Sequence, residues 1–138
     1  MNLFIDANIL IAVCNKEYPL FPFAARILSL ADKKDFQLFT STLCLAITFY
    51  FVEKKSDQLK ARQKILLLAQ KLKFSDNNAE DVIEVCKNKN IHDFEDGLQY
   101  YSALRSKCRF IITQDTNDFY FSQIPAIRAE EFLKEISR

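Results

Sequence analysis

Three places in this chain put carboxylates where the backbone should turn out of a buried element. Asp6 closes the apolar run Leu3-Phe4-Ile5, Asp93, Glu95 and Asp96 open a helical stretch, and Asp115 and Asp118 follow the apolar run Arg109 to Thr113. Carboxylates gathered at one spot repel each other strongly unless a cation sits among them. Donors that are all oxygen suit Mg²⁺ or Mn²⁺ over zinc, and Mg²⁺ takes one or two carboxylates while keeping several waters. Each acid also has a local alternative. Asp6 can cap the helix that follows it. Asp93 and Asp96 have the spacing of a capping-box-like start, and Asp118 can cap a short turn through Phe119.

For these acids to meet, their strands must lie side by side. Leu3-Phe4-Ile5 is unbroken, as expected of a strand covered on both faces. Further strands are expected at Phe36 to Thr40, Lys71 to Phe74, Arg109 to Thr113 and near Ile124 to Ile127. Helices are expected from Asn8 to about Cys14, from Pro22 to about Lys34, from Ser41-Thr42 to Glu53, from Asp57 to Leu72, from Asn78 to Asn88, through Asp96 to about Ser106, and from Ala129 to Ile136. Leu43 to Val52 is rich in β-branched and aromatic residues, which favours strand, but its length and lack of a turn signal favour a buried helix. Strands alternating with helices imply βαβ units and a mainly parallel sheet of about five strands with helices on both faces. Ligands of such sheets bind at the carboxyl ends of the strands, the edge at which Asp6 and Asp115 fall.

The 138 residues, 49% of them hydrophobic and without a Pro-, Gly- or Ser-rich linker, are expected to form a single domain, residues 1–138. No apolar run is long enough to span a bilayer, and the amino terminus has neither a basic region nor a small-residue cleavage site, so a cytoplasmic location and no membrane partner are expected. Cys14, Cys44, Cys86 and Cys108 are scattered, like buried thiols and unlike a disulfide frame. With Gly97 as the only glycine there is no phosphate cradle, so no nucleotide cofactor is expected. With His92 as the only histidine and no nucleophile elbow, a covalent serine or cysteine mechanism lacks support. The net charge of +1 hides a basic stretch, Lys54 to Lys73, followed by a mostly acidic one, Asp76 to Asp96. A basic patch beside an acidic pocket would suit a polyanionic substrate; a solvated helix face is the plainer meaning of the same run.

At these residues the sequence resembles the PIN-domain family (PilT amino-terminal domain), particularly the small VapC-like toxin ribonucleases of bacterial toxin–antitoxin pairs. Phe4-Ile5-Asp6-Ala7-Asn8-Ile9-Leu10 looks like the family's opening strand, Asp93-Phe94-Glu95-Asp96-Gly97-Leu98 like its central acidic motif, and Thr113-Gln114-Asp115-Thr116-Asn117-Asp118-Phe119 like its late one. The resemblance implies a three-layer α/β/α fold, Mg²⁺- or Mn²⁺-dependent cleavage of RNA, a homodimer and a cognate antitoxin. By position it makes Asp6, Asp96 and Asp115 the metal-site acids, with Asn8 and Thr113 orienting groups around them and Asp93, Glu95 and Asp118 close by. Two positions depart from the family's pattern. Ile47 stands where the family usually has Glu, six residues beyond a serine like Ser41, and Ala7 stands where Thr or Ser is common.

Two functions of different classes follow. The first is a metal-dependent endoribonuclease in which Asp6 and Asp96 bind the metal directly and Asp115 binds it through water or holds the attacking water. The second is a PIN-like module that binds RNA or a protein partner and has lost its metal with the missing glutamate. A receiver-like signalling domain would need a phosphoacceptor aspartate after a middle strand and a lysine after a late one, and neither is evident.

Overall fold

The structure is a computed structural model describing residues 1–138. Its centre is the strand Asn2–Ile5 (β1), in which Leu3, Phe4 and Ile5 are fully buried. The other strands are Gln37–Thr40 (β2), Lys73–Phe74 (β3), Phe110–Ile112 (β4) and Ala126–Ile127 (β5), and all five pair in parallel in the order β3-β2-β1-β4-β5. The first strand is therefore flanked by a middle and a late one. Leu3 is in register with Leu38 on one side and with Phe110 on the other, and Ile5 lies opposite Ile112. The residues that leave this pair of strands together are Asp6 and Thr113, and the Asp6 N–H donates to the Ile112 carbonyl at 3.0 Å.

Seven α-helices flank the sheet in an α/β/α arrangement: Ala7–Cys14 (α1), Phe21–Ser29 (α2), Thr42–Lys55 (α3), Gln58–Lys71 (α4), Ala79–Lys87 (α5), Phe94–Arg105 (α6) and Ala129–Ile136 (α7). Helix α1 packs on α2 and α3, α4 on α3, α2 on α7, and α5 on α6. A cluster of 28 buried residues joins the sheet to all of these helices but α5. The ambiguous stretch after β2 is helical. Ser41 caps it by accepting from the Cys44 N–H at 3.1 Å, and Cys44, Thr48 and Val52 form a buried stripe four residues apart that only a helix can align.

Local chemistry fixes where the elements stop. Helix α2 ends at Ser29, five residues short of the expected Lys34. A 3₁₀ turn, Leu30–Asp32, tightens the chain there, drawing Leu30 into the core and leaving Lys33 and Lys34 exposed at its end. Strand β3 starts at Lys73 because Lys71 still belongs to α4. Ile124 does not enter β5: its N–H and C=O are taken by the Ser122 hydroxyl at 3.0 and 2.6 Å. Cys14, Cys44 and Cys108 are buried and Cys86 is exposed, all as free thiols. No helix is long and apolar enough to cross a membrane.

Candidate functional site

The carboxyl edge of β1 and β4 opens into a cavity of about 400 Å³. Six of its 12 lining residues are carboxylates, Asp6, Asp93, Glu95, Asp96, Asp115 and Asp118, and none is Lys, Arg or His. Asn8, Ala7 and Ile11 line it from α1, Ile47 and Phe51 from α3, and Gln99 from α6. Every acid singled out in the sequence thus reaches one cavity. Thr113 does not line it; this buried residue supports the wall from behind.

Asp6 does both of the things open to it. Its Oδ1 caps α1 by accepting from the Ala7 N–H at 2.7 Å, while Oδ2 accepts from the Thr113 hydroxyl at 2.7 Å. The same hydroxyl accepts from the Asn8 amide at 3.0 Å and from the Asp115 N–H at 3.1 Å. Asn8 Nδ2 also donates to Asp115 Oδ2 at 3.1 Å, and Asn8 Oδ1 accepts from the Gln114 N–H at 3.3 Å. Asn8 and Thr113 therefore fasten the loop after β4 to the start of α1, which fixes Asp115 relative to Asp6. Beyond them Gln114 is held by α7, accepting from the Ala129 N–H and donating to Glu130, both at 3.0 Å.

The central acids sit at the amino end of α6. Asp93 caps that helix, accepting from the Asp96 N–H at 3.0 Å, and lines the cavity as well. Asp118 does not take the alternative of capping a turn. It lies within a 3₁₀ turn, Thr116–Phe119, whose cap position is Asp115, and Asp115 makes no side-chain cap bond. An oxygen of its carboxylate is instead engaged by Asn8. Behind Asp96 stands Gly97, where an added Cβ would come within 2.7 Å of Val85 Cγ1 and 2.8 Å of Ile91 Cγ2. Glycine is what lets the acidic end of α6 sit down on α5 and the preceding loop.

The electrostatic state of the cavity follows from burial and like charge. Desolvation, opposed by the bonds from Thr113 and Ala7, pushes the Asp6 carboxyl up to about 6. Desolvation followed by the repulsion of Asp93, Asp118, Asp6 and Glu95 pushes Asp96 up to about 7. Burial and the neighbouring Asp93 raise Glu95. Such a set of acids lacks positive charge. No three of them stand close enough to enclose a metal ion between them. That spacing fits a cation bound by one or two carboxylates and otherwise by water, as Mg²⁺ commonly is, and does not fit a tightly caged ion. No His or Cys lines the cavity, so its charged donors are all carboxylate oxygens.

Of the two meanings open to the basic stretch, the structure favours the solvated helix face, since none of its bases lines the cavity. Helix α4 carries most of it, contributes nothing to the lining and packs on α3, which lies between. Two of its bases are used locally: Lys71 pairs with Asp32 at 3.1 Å and Lys64 donates to the Cys14 carbonyl at 2.6 Å. Sequence reasoning also missed Gln99. The signal was present, since a residue three beyond Asp96 shares its face of a helix.

The model of the PIN domain matches residues 2–117. The chain belongs to the PIN-domain family. This PIN domain is 28% identical over 134 residues to Ribonuclease VapC1 of Aquifex aeolicus, covering 94% of the chain and 92% of that relative. Its fold is similar to that of VapC20 of Mycobacterium tuberculosis, a sarcin-ricin loop cleaving toxin, with a TM-score of 0.71 at 16% identity, over 91% of this chain and 98% of that one. It is also similar to VapBC2 of Rickettsia felis bound to a DNA fragment from its promoter, with a TM-score of 0.70 at 17% identity, over 93% and 98% of the two chains.

Proposed function

We propose that this PIN domain is a metal-dependent endoribonuclease of the VapC kind, the toxin of a toxin–antitoxin pair. The observation that carries this reading is the cavity at the end of β1 and β4, lined by six carboxylates and no cationic side chain. The relative named as a ribonuclease supports the reaction class, and the neighbours named as a cleaving toxin and as a VapBC complex support an RNA substrate and a cognate antitoxin. A homodimer is part of the same proposal, carried over from the family resemblance.

Asp6 and Asp96 would hold Mg²⁺ or Mn²⁺, being the buried and half-buried acids whose charge burial most disfavours. When bound, the cation supplies a water of lowered pKa and neutralises charge developing on the scissile phosphate. Asp115, exposed and held by Asn8, would orient the attacking water and accept its proton. Thr113 and Asn8 keep Asp6 and Asp115 from separating. Asp93, Glu95 and Asp118 add negative potential that draws a cation in and would hold RNA off until one is bound.

Incubation of the pure protein with structured RNAs, with and without Mn²⁺, tests this reading. Cleavage should need the cation and be lost in Asp6→Asn and Asp96→Asn. Cleavage that persists in EDTA overturns it. Ile47 favours a second reading, a non-cleaving module that binds RNA or a protein, because it presents an apolar side chain to the same cavity. Retained RNA binding with no Mn²⁺ uptake and no cleavage would select that one.

A further inference from the structure

The floor of the acidic cavity contains one polar group that the proposed chemistry does not use. Of the 12 lining residues only Asp6, Ala7 and Gln99 are buried, so Asp6 and Gln99 carry the only polar side chains on the floor. Both Asp6 oxygens have donors, from Ala7 and Thr113. Gln99 is 2% exposed, and its Oε1 has no hydrogen-bond partner. The other buried atom in this state, the Ser102 hydroxyl oxygen one turn further along α6, belongs to a residue that does not line the cavity.

A buried amide oxygen left without a donor weakens a fold, and a leucine would fill much the same space without that cost. A group so placed makes sense if something else in the cavity satisfies it. The carboxamide has an acceptor and two donors, and a half-turn of its terminal torsion exchanges them within the same volume. Water held by a cation turns its hydrogens outward and needs acceptors around it. The exposed acids Asp115 and Asp118 can serve the solvent side, but on the floor the only acceptor not already engaged is the Gln99 oxygen. Being neutral, it adds no repulsion to six carboxylates.

We infer that Gln99 is a positioning residue for a hydrated divalent cation, its side-chain oxygen, turned to the cavity by that half-turn of the carboxamide, accepting from a cation-bound water on the buried side. The inference rests on the metal-dependent reading given above. It makes this site one in which a neutral oxygen on α6 supports the cation while α3 offers only an apolar group.

Calorimetric titration with Mn²⁺ alone, paired with melting curves in EDTA and in Mn²⁺, tests it on the parent, Gln99→Leu and Gln99→Glu. Gln99→Leu should lose about tenfold in Mn²⁺ affinity, the usual loss when a group supporting a metal's ligands is removed. It should melt higher than the parent in EDTA yet gain less from Mn²⁺. Gln99→Glu, which keeps an oxygen in place, should bind Mn²⁺ at least as well as the parent. Equal Mn²⁺ affinity in the parent and Gln99→Leu overturns the role of Gln99 and leaves the nuclease reading standing. No Mn²⁺ binding by the parent overturns both. Should the leucine variant fail to fold, Gln99→Met carries the same comparison.

Discussion

The Thr113 hydroxyl donates to Asp6 Oδ2 at 2.7 Å, joining two residues 107 apart in sequence at the point where β1 and β4 end side by side. This bond goes to a buried carboxylate, so its worth depends on the charge of Asp6. Replacing Thr113 with Val keeps the shape and removes the donor. At pH 8 the variant should lose roughly 1.5–3 kcal/mol, the range for a hydrogen bond to a charged group. At pH 5, where Asp6 is largely protonated, the loss should shrink. Urea unfolding at the two pH values measures it; an equal loss at both would mean that Thr113 acts through packing alone.

The raised carboxyls make a prediction about pH whose sign is opposite to the common one. Asp6 and Asp96 move from 3.8 to about 6 and about 7, so the folded chain binds protons that the unfolded chain releases. Their contribution is fully present below about pH 4 and is lost as pH rises toward 7. For Asp6 alone, the change from 3.8 to about 6 corresponds to roughly 3 kcal/mol. Asp81, held below its ordinary value against desolvation by Arg105, Asn78 and Asn77, works the other way, but only at acid pH beneath this window. In EDTA the melting temperature should therefore be higher at pH 5 than at pH 8. Asp6→Asn should flatten the slope, and Mn²⁺ should restore stability at pH 8, because a cation binding only the native state stabilises it. A metal-free protein that melts higher at pH 8 would contradict the cavity's electrostatics.

Most of this site could be read from the chain because its parts follow local rules. An unbroken apolar triplet ending in an acid gives β1 and Asp6, and a cap spacing gives Asp93 ahead of α6. Helix α3 was the hard case: its β-branched and aromatic residues point to strand, and tertiary packing of Cys44, Thr48 and Val52 decided for helix. What could not be read depends on contacts between distant residues. Asp118 falls inside a 3₁₀ turn whose cap position is Asp115, and Asp115 is held from another element by Asn8. The basic face of α4 could be placed only by knowing that α3 lies between it and the cavity. Gln99 looked like an ordinary helix residue until its unpartnered oxygen was seen in a buried wall.

Gly97 offers a test of how the acidic end of α6 is seated. Alanine is the better helix former by about 1 kcal/mol. Its Cβ, however, would meet branches of Val85 and Ile91 at 2.7 and 2.8 Å, and neither is the free end of a long side chain. Overpacking of this kind costs about 1–3 kcal/mol, so the two effects leave a net loss. Gly97→Ala should unfold at lower urea and, by shifting Asp96, should also weaken Mn²⁺ binding. A variant more stable than the parent would show that α5 gives way freely at this contact.

The last prediction concerns Ile47, which lines the same cavity as Asp6 and Asp96 from the opposite helix. Ile47→Glu would add a seventh carboxylate to six, among which Asp6, Glu95 and Asp96 already have raised proton affinities. Without metal the added charge should destabilise the fold, and more so at pH 8 than at pH 5, where the acids are partly protonated. With Mn²⁺ present the new carboxylate becomes a favourable neighbour of the cation, and binding to the native state alone offsets the loss. The variant's melting temperature should fall below the parent's in EDTA and climb more steeply with Mn²⁺. If nuclease activity is limited by the missing carboxylate, cleavage should rise in the same variant. Identical melting in EDTA and in Mn²⁺ would place residue 47 outside the reach of any cation bound at Asp6 and Asp96.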